Sequence, residues 1–156
     1  MQKTTKLYSL SSEGPSSELM HGLCDGKGPC IVLVKTFGRY VFGFYTPVGF
    51  SQDEKYSGHE NFWIFSLAND YARGMVFKIK PEKNFIALYN SIRSPCLGST
   101  LKNKEDLFVD FDNPSESSSS VGYAYKLWDS KVDGTKVLSG QQTDWEVDEI
   151  EVHLIE

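Results

Sequence analysis

The chain has 156 residues, 40% of them hydrophobic and 13% aromatic, and a net charge of −5. That is enough sequence for one domain with a sizeable core, and an acidic balance without a basic cluster speaks against nucleic acid or an anionic membrane surface as partner. No apolar run approaches the ~20 residues of a membrane span, the N-terminal MQKTTKLYSL lacks the apolar stretch of a secretory signal, and three cysteines, an odd number, read as reduced thiols of a cytoplasmic protein.

Residues 6–10 (KLYSL) read as an opening strand and 11–17 as a polar loop around Gly14-Pro15. Ser16 or Ser17 is placed to cap a helix with Glu18 in its first turn, and Leu19, Met20, Leu23 and Cys24 recur on one apolar face. The stretch 31–44, IVLVKTFGRYVFGF, reads as two strands joined by a turn. Both strands are apolar on both sides, so this hairpin is expected at the centre, covered on both faces. Gly38 stands where a hairpin loop needs a positive φ, whereas Gly43 lies inside the second strand, where glycine is costly unless another backbone passes close by. A polar connection over 46–60 leads into NFWIFSLAN, a second doubly apolar strand with Phe62 and Ile64 opposite Trp63, Phe65 and Leu67.

Residues 75–80 alternate, with Met75, Phe77 and Ile79 inward and Lys78 and Lys80 outward. Further strands are expected over 84–90, over 106–112 with Leu107, Val109 and Phe111 on one side, and over 122–128. A long loop over 91–104 holds Pro95, Cys96 and Gly98. The serine run 114–120 is too polar to build core and reads as a mobile loop, with a phosphorylation target near Glu116 as the alternative. The chain closes on a strand in which Ile150, Val152 and Leu154 alternate with Glu149, Glu151 and His153. About eight short strands with little helix predict a mainly β (α+β) protein, a two-layer antiparallel β-sandwich with a few short flanking helices, as one domain over 1–156.

Chemistry is sparse. His21, His59 and His153 show no metal-ligand spacing, and Cys24 and Cys30 read as small buried thiols rather than half of a zinc site. A nucleophilic pair of Cys96 with His59 or His153 lacks any surrounding motif, as does a carboxylate site at Asp148, Glu149 and Glu151. On a strand Glu149 and Glu151 share a face, which makes them a solvated acidic row suited to meeting a partner. No catalytic residue, metal or cofactor is expected.

The ordered pieces KLYSLSSEGPSS, IVLVKTFGRYVFGFY, YSGHENFWIFSLAN, IALY, CLG with DLFV, SSSVGYAYKLW and WEVDEIEVHLIE resemble the TLDc domain, the module of oxidation-resistance proteins, over nearly the whole chain. The SSS–GYAY segment is more similar to the version common in protists and fungi. The resemblance implies a two-sheet sandwich acting as a cytoplasmic binding module rather than an enzyme. It also implies a role in oxidative-stress resistance, or in binding and regulating the peripheral part of the vacuolar proton-pumping ATPase. Carried over residue by residue, Gly43 falls on the glycine of the family's FG motif and Gly98 on the glycine after the long loop, both structural. Gly58, with His59 and Glu60, falls in a Y-x-G-x-x-E-like segment, and Glu149 and Glu151 match the terminal acidic pair; these five are the expected binding residues. CLGST departs from the family's usual G-P-x-F-G form, His59 stands where a smaller residue is common, and the serine run replaces a tighter loop. Two alternatives stand beside this reading: a docking domain of a larger scaffold or cytoskeletal assembly, and a small Cys- or carboxylate-dependent enzyme.

Overall fold

In the computed structural model, residues 2–101 and 104–156 are described. The strands are β1 (Thr4–Ser9), β2 (Cys30–Thr36), β3 (Val41–Thr46), β4 (Tyr56–Ser57), β5 (Trp63–Ala68), β6 (Met75–Lys78), β7 (Leu88–Tyr89), β8 (Cys96–Gly98), β9 (Glu105–Phe108), β10 (Ser118–Ser119) and β11 (Val147–Ile155). Two short helices, α1 (Leu10–Glu13) and α2 (Ser17–Cys24), follow β1. One sheet has the order β1-β11-β2-β3-β5-β6 and the other β10-β9-β8-β7-β4, and every pair within them is antiparallel. The protein is therefore mainly β, two antiparallel sheets with few short helices, as the alternation of the sequence predicts.

The period-2 pattern decides what goes inside. Val32 and Val34 of β2, Phe42 and Phe44 of β3, Ile64 of β5, and Ile150 and Val152 of β11 join Leu88, Leu97 and Leu107 of the second sheet in one continuous core. Each such side chain contributes about 1.5–3 kcal/mol on burial. Trp145 closes one end, edge-on to Phe42 at 5.0 Å, and Tyr8 meets Phe111 edge-on at 5.4 Å.

Several expectations need correction. Leu10 does not end the strand, nor do residues 11–13 form loop; together they are α1, where the Ser9 hydroxyl accepts from the Ser12 N–H and the Ser9 N–H donates to Glu13. That reciprocal arrangement satisfies donors a helix start leaves open. In α2 the Ser16 cap is as expected, but the buried stripe is Ser17, Met20, His21 and Cys24, with Leu19 and Leu23 exposed. Positions 17, 20, 21 and 24 form an i, i+3, i+4, i+7 stripe, and His21 tolerates burial because both ring nitrogens have partners, the Asp25 carboxylate at 2.7 Å and the Arg93 carbonyl. Residues 84–90 are not one strand. Pro81, which lacks an N–H, starts a 3-10 turn over Pro81–Ile86, and only Leu88–Tyr89 pairs.

The loop expected over 91–104 contains β8, and its Lys102 and Asn103 lie outside the described residues. The serine run is built into the fold: Ser118–Ser119 pairs with β9, Ser117 and Ser119 are buried, and the Ser117 hydroxyl accepts from the Asp110 N–H at 2.8 Å. Small side chains that answer backbone donors suit such a closely packed edge. Residues 122–128 form no ladder, only an isolated bridge between Ile79 and Tyr125. Three of their N–H groups are spent on a side chain instead. Gly122, Ala124 and Tyr125 all donate to the buried Asp106 carboxylate, at 2.9, 2.9 and 3.0 Å. Lys80 is not an outward lysine either, since its ammonium donates to the Gly122 carbonyl at 2.6 Å.

Candidate functional site

The outer face of the six-stranded sheet differs most from expectation. β2, β3 and β5 were expected to be covered on both sides, yet their outward residues are only partly buried: Ile31, Leu33, Tyr45 and Trp63 are half-exposed and Leu67 is exposed. Strand register lines these side chains up in rows. One row runs His153, Ile31, Tyr45, Trp63, Lys78, and the next runs Glu151, Leu33, Gly43, Phe65, Val76. Apolar side chains fill the middle of both, with charged residues of β11 on one flank.

Gly43 shapes this face. A Cβ there would lie 1.8 Å from the Val32 carbonyl oxygen, so no other residue fits without moving the neighbouring strand. The missing side chain leaves room for Phe65, whose ring tip would sit 3.1 Å from such a Cβ and whose ring is largely buried despite facing outward. Beside it Tyr45 and Trp63 stack at 4.9 Å, and Trp63 meets Phe65 at 6.2 Å. A depression of about 360 Å³ lies at the end of this aromatic row, bounded by Gln2, Ile31, Tyr45, Asn61, Trp63 and Ile155.

On the acidic flank, Glu149 accepts from the Ser11 N–H at 3.1 Å and from its own neighbour Ile150 at 2.9 Å. Burial pushes its carboxyl up, but the hydrogen bonds from Ser11, Ile150 and Leu10 outweigh that and hold it below the usual carboxylate range. Glu149 thus fastens α1 to β11. Glu151 pairs with His153 at 2.6 Å, and Lys35 with Asp148 at 3.5 Å. Gly58, His59 and Glu60 lie elsewhere, in the exposed loop after β4. A Cβ on Gly58 would come within 3.0 Å of the Asn84 carbonyl oxygen and 3.1 Å of the Phe85 Cα, so this glycine lets two backbones pass. The His59 ring accepts from the Asn61 N–H at 3.0 Å. The two groups of expected binding residues share no hydrogen bond or ion pair among the described residues.

Gly98 has a φ of 93°, and a Cβ on it would lie 2.3 Å from an Asp106 carboxylate oxygen. Burial pushes the Asp106 carboxyl up to about 6, against the pull of its three N–H donors and of Lys80. Sequence reasoning missed Asp106 because the apolar parity of Leu107, Val109 and Phe111 assigns it to an outer face. The thiols are all buried and protonated: burial pushes Cys24 up to about 12, Cys30 to about 11, and Cys96 higher still. Cys96 lines a cleft with Ser94, Thr100 and Glu105, but its sulfur bonds to the Leu97 and Ser99 carbonyls and to no histidine. Among the described residues no three His, Cys, Asp or Glu side chains group as metal ligands.

The fold and site define an antiparallel two-sheet module with one outer sheet face left open and aromatic. The family model of the TLDc domain matches residues 1–156, and the chain belongs to that family. Comparison with curated proteins returned no match.

Proposed function

We propose that this TLDc module is a non-enzymatic, cytoplasmic protein-interaction domain. In this reading it acts in oxidative-stress resistance by binding the peripheral part of the vacuolar proton-pumping ATPase through the outer face of its six-stranded sheet. The observation that carries the reading is that face: an apolar and aromatic centre with a charged border on β11, the make-up of a docking patch rather than of a solvated sheet. The family resemblance supplies the partner. Buried, protonated thiols favour an indirect role in oxidative stress over direct chemistry with oxidants. Glu151 belongs to the border of the face, while Glu149 holds the adjoining helix in place.

Affinity capture from cells tests the reading. Peripheral subunits of the pump are expected among the recovered proteins. Recovery of none, under conditions where a control module of the same family captures them, overturns it.

A further inference from the structure

A second cleft, remote in chemistry from the aromatic face, opens where the turn after β2 meets the segment leading into β11. It encloses about 270 Å³. Its walls are joined by backbone: the Phe37 N–H donates to the Glu146 carbonyl at 2.9 Å, and the Thr36 N–H to the Tyr40 carbonyl at 3.0 Å. Thr36, Ser139 and Trp145 are buried against it, while Gln141 and Glu146 stand exposed at its rim.

Donor accounting gives the cleft its character. The Ser139 hydroxyl and the Trp145 indole N–H both donate to the Gln141 carbonyl, at 2.6 and 3.1 Å. The Gln141 side-chain amide donates to the Asp144 carbonyl, and the Tyr40 hydroxyl to Asp70. Apart from the second N–H of the Gln141 amide and the Thr36 hydroxyl, the side-chain donors of the cleft are spent inside the protein. What remains is acceptor capacity: lone pairs on the Ser139 and Tyr40 oxygens, and the Glu146 carboxylate, which has no hydrogen-bond or ion-pair partner among the described residues. An independent observation marks an unmet polar group in the wall of the same cleft. Thr36 is 4% exposed, and its hydroxyl is buried without any hydrogen-bond partner, a state that costs about 1–3 kcal/mol unless something answers it.

We propose that this cleft binds a cationic nitrogen group, an ammonium or a guanidinium, with Glu146 supplying the countercharge and the hydroxyl oxygens accepting its N–H bonds. Such a group brings several donors for the hydroxyl lone pairs and a positive charge for the free carboxylate. Gly140 keeps the cleft in shape, because a Cβ there would fall 2.6 Å from the Tyr40 hydroxyl oxygen and push that ring aside. Arg39, in the same turn, does not line the cleft. The proposal does not depend on whether the aromatic face docks the pump. The same chemistry fits a free amine or a Lys or Arg side chain of another protein.

The test is a titration of the 15N-labelled protein, followed by NMR. The probes are n-butylammonium chloride, n-butylguanidinium chloride and a blocked lysine-containing peptide, with n-butanol and sodium chloride as controls. Saturable shifts are expected at Thr36, Tyr40, Ser139, Glu146 and the Trp145 indole with at least one cationic probe and with neither control. Saturation by the small ions identifies a free amine as sufficient; saturation by the peptide alone identifies a side chain. Glu146→Gln, at an exposed position, should weaken binding at least tenfold with an unchanged melting temperature, and Thr36→Val should weaken it less. Shifts that match sodium chloride for every probe, or an affinity unchanged in Glu146→Gln, overturn the proposal.

Discussion

Gly43 and Asp106 are the two residues on which most else depends. At Gly43 the sheet itself forbids a side chain, since the Val32 carbonyl occupies the space a Cβ needs. Gly43→Val should therefore cost at least about 3 kcal/mol, at or beyond the top of the usual over-packing range, because a strand must shift as well. Urea denaturation monitored by tryptophan fluorescence checks this, and an unchanged midpoint would show that the strand accommodates the side chain. Asp106 acts by the opposite route, supplying a side chain where a strand partner is missing. Its folded pKa of about 6 lies above the unfolded value near 3.9, so the folded state holds this proton more tightly. The resulting stabilisation is full below pH ~4 and shrinks as pH rises through about 6, by an amount on the order of 2–3 kcal/mol. Comparing wild type with Asp106→Asn at the two ends of that window should show a larger stability loss at the acidic end; a loss that grows toward neutral pH would contradict the sign. The thiols supply a third expectation at this scale. At pH 8 iodoacetamide should leave Cys24, Cys30 and Cys96 unmodified in the native protein and label all three in urea, by mass spectrometry, because each is buried and its pKa raised.

At the scale of elements, the serine run is the most informative. Ser117 is buried with its hydroxyl on the Asp110 N–H, whereas Ser115 is exposed. Ser117→Glu should destabilise by more than about 2 kcal/mol and Ser115→Glu by less than about 0.5 kcal/mol in thermal unfolding. Equal effects would mean that the segment does not pack as described. The run also shows where the sequence stops being legible. The strand β11 is readable because period-2 alternation is a strong signal, β2, β3 and β5 are readable as continuous β-branched and aromatic runs bounded by turn residues, and the α2 cap is readable from a serine before an acidic turn. Residues 122–128 have the alternation of a strand, but Asp106, distant in sequence, takes three of their N–H groups, and nothing local announces that. Serines 117–119 look like loop because their side chains carry no apolar signal, although Ser117 and Ser119 are buried and Ser117 answers a backbone donor. Even Gly38 misleads: Arg39, at φ 70°, takes the left-handed position of the hairpin turn. At the candidate site, Gly43 was legible as an oddity, whereas Phe65 read only as one apolar residue of a doubly apolar strand. That one face stays open was not, because apolarity on both sides of a strand reads the same whether a partner of the same chain or of another covers it.

For the molecule as a whole, the two sheets enclose one core, and the six-stranded sheet keeps an apolar outer face that no element of the described chain covers. An open apolar sheet face is a cost to an isolated protein and a resource to one that docks. Leu67 and Val76 sit on that face at 59% and 54% exposure, so replacing them disturbs the face with little effect on the core. The double variant Leu67→Lys, Val76→Lys should melt within about 2 °C of wild type, which corresponds to about 0.5–1 kcal/mol for a domain of this size. The most direct measurement is binding of purified peripheral pump complex to the wild-type protein and to this variant, side by side. Saturable binding by wild type, weakened at least about tenfold in the equally stable variant, is the predicted result. No binding by wild type, or equal binding by both proteins, would contradict the account.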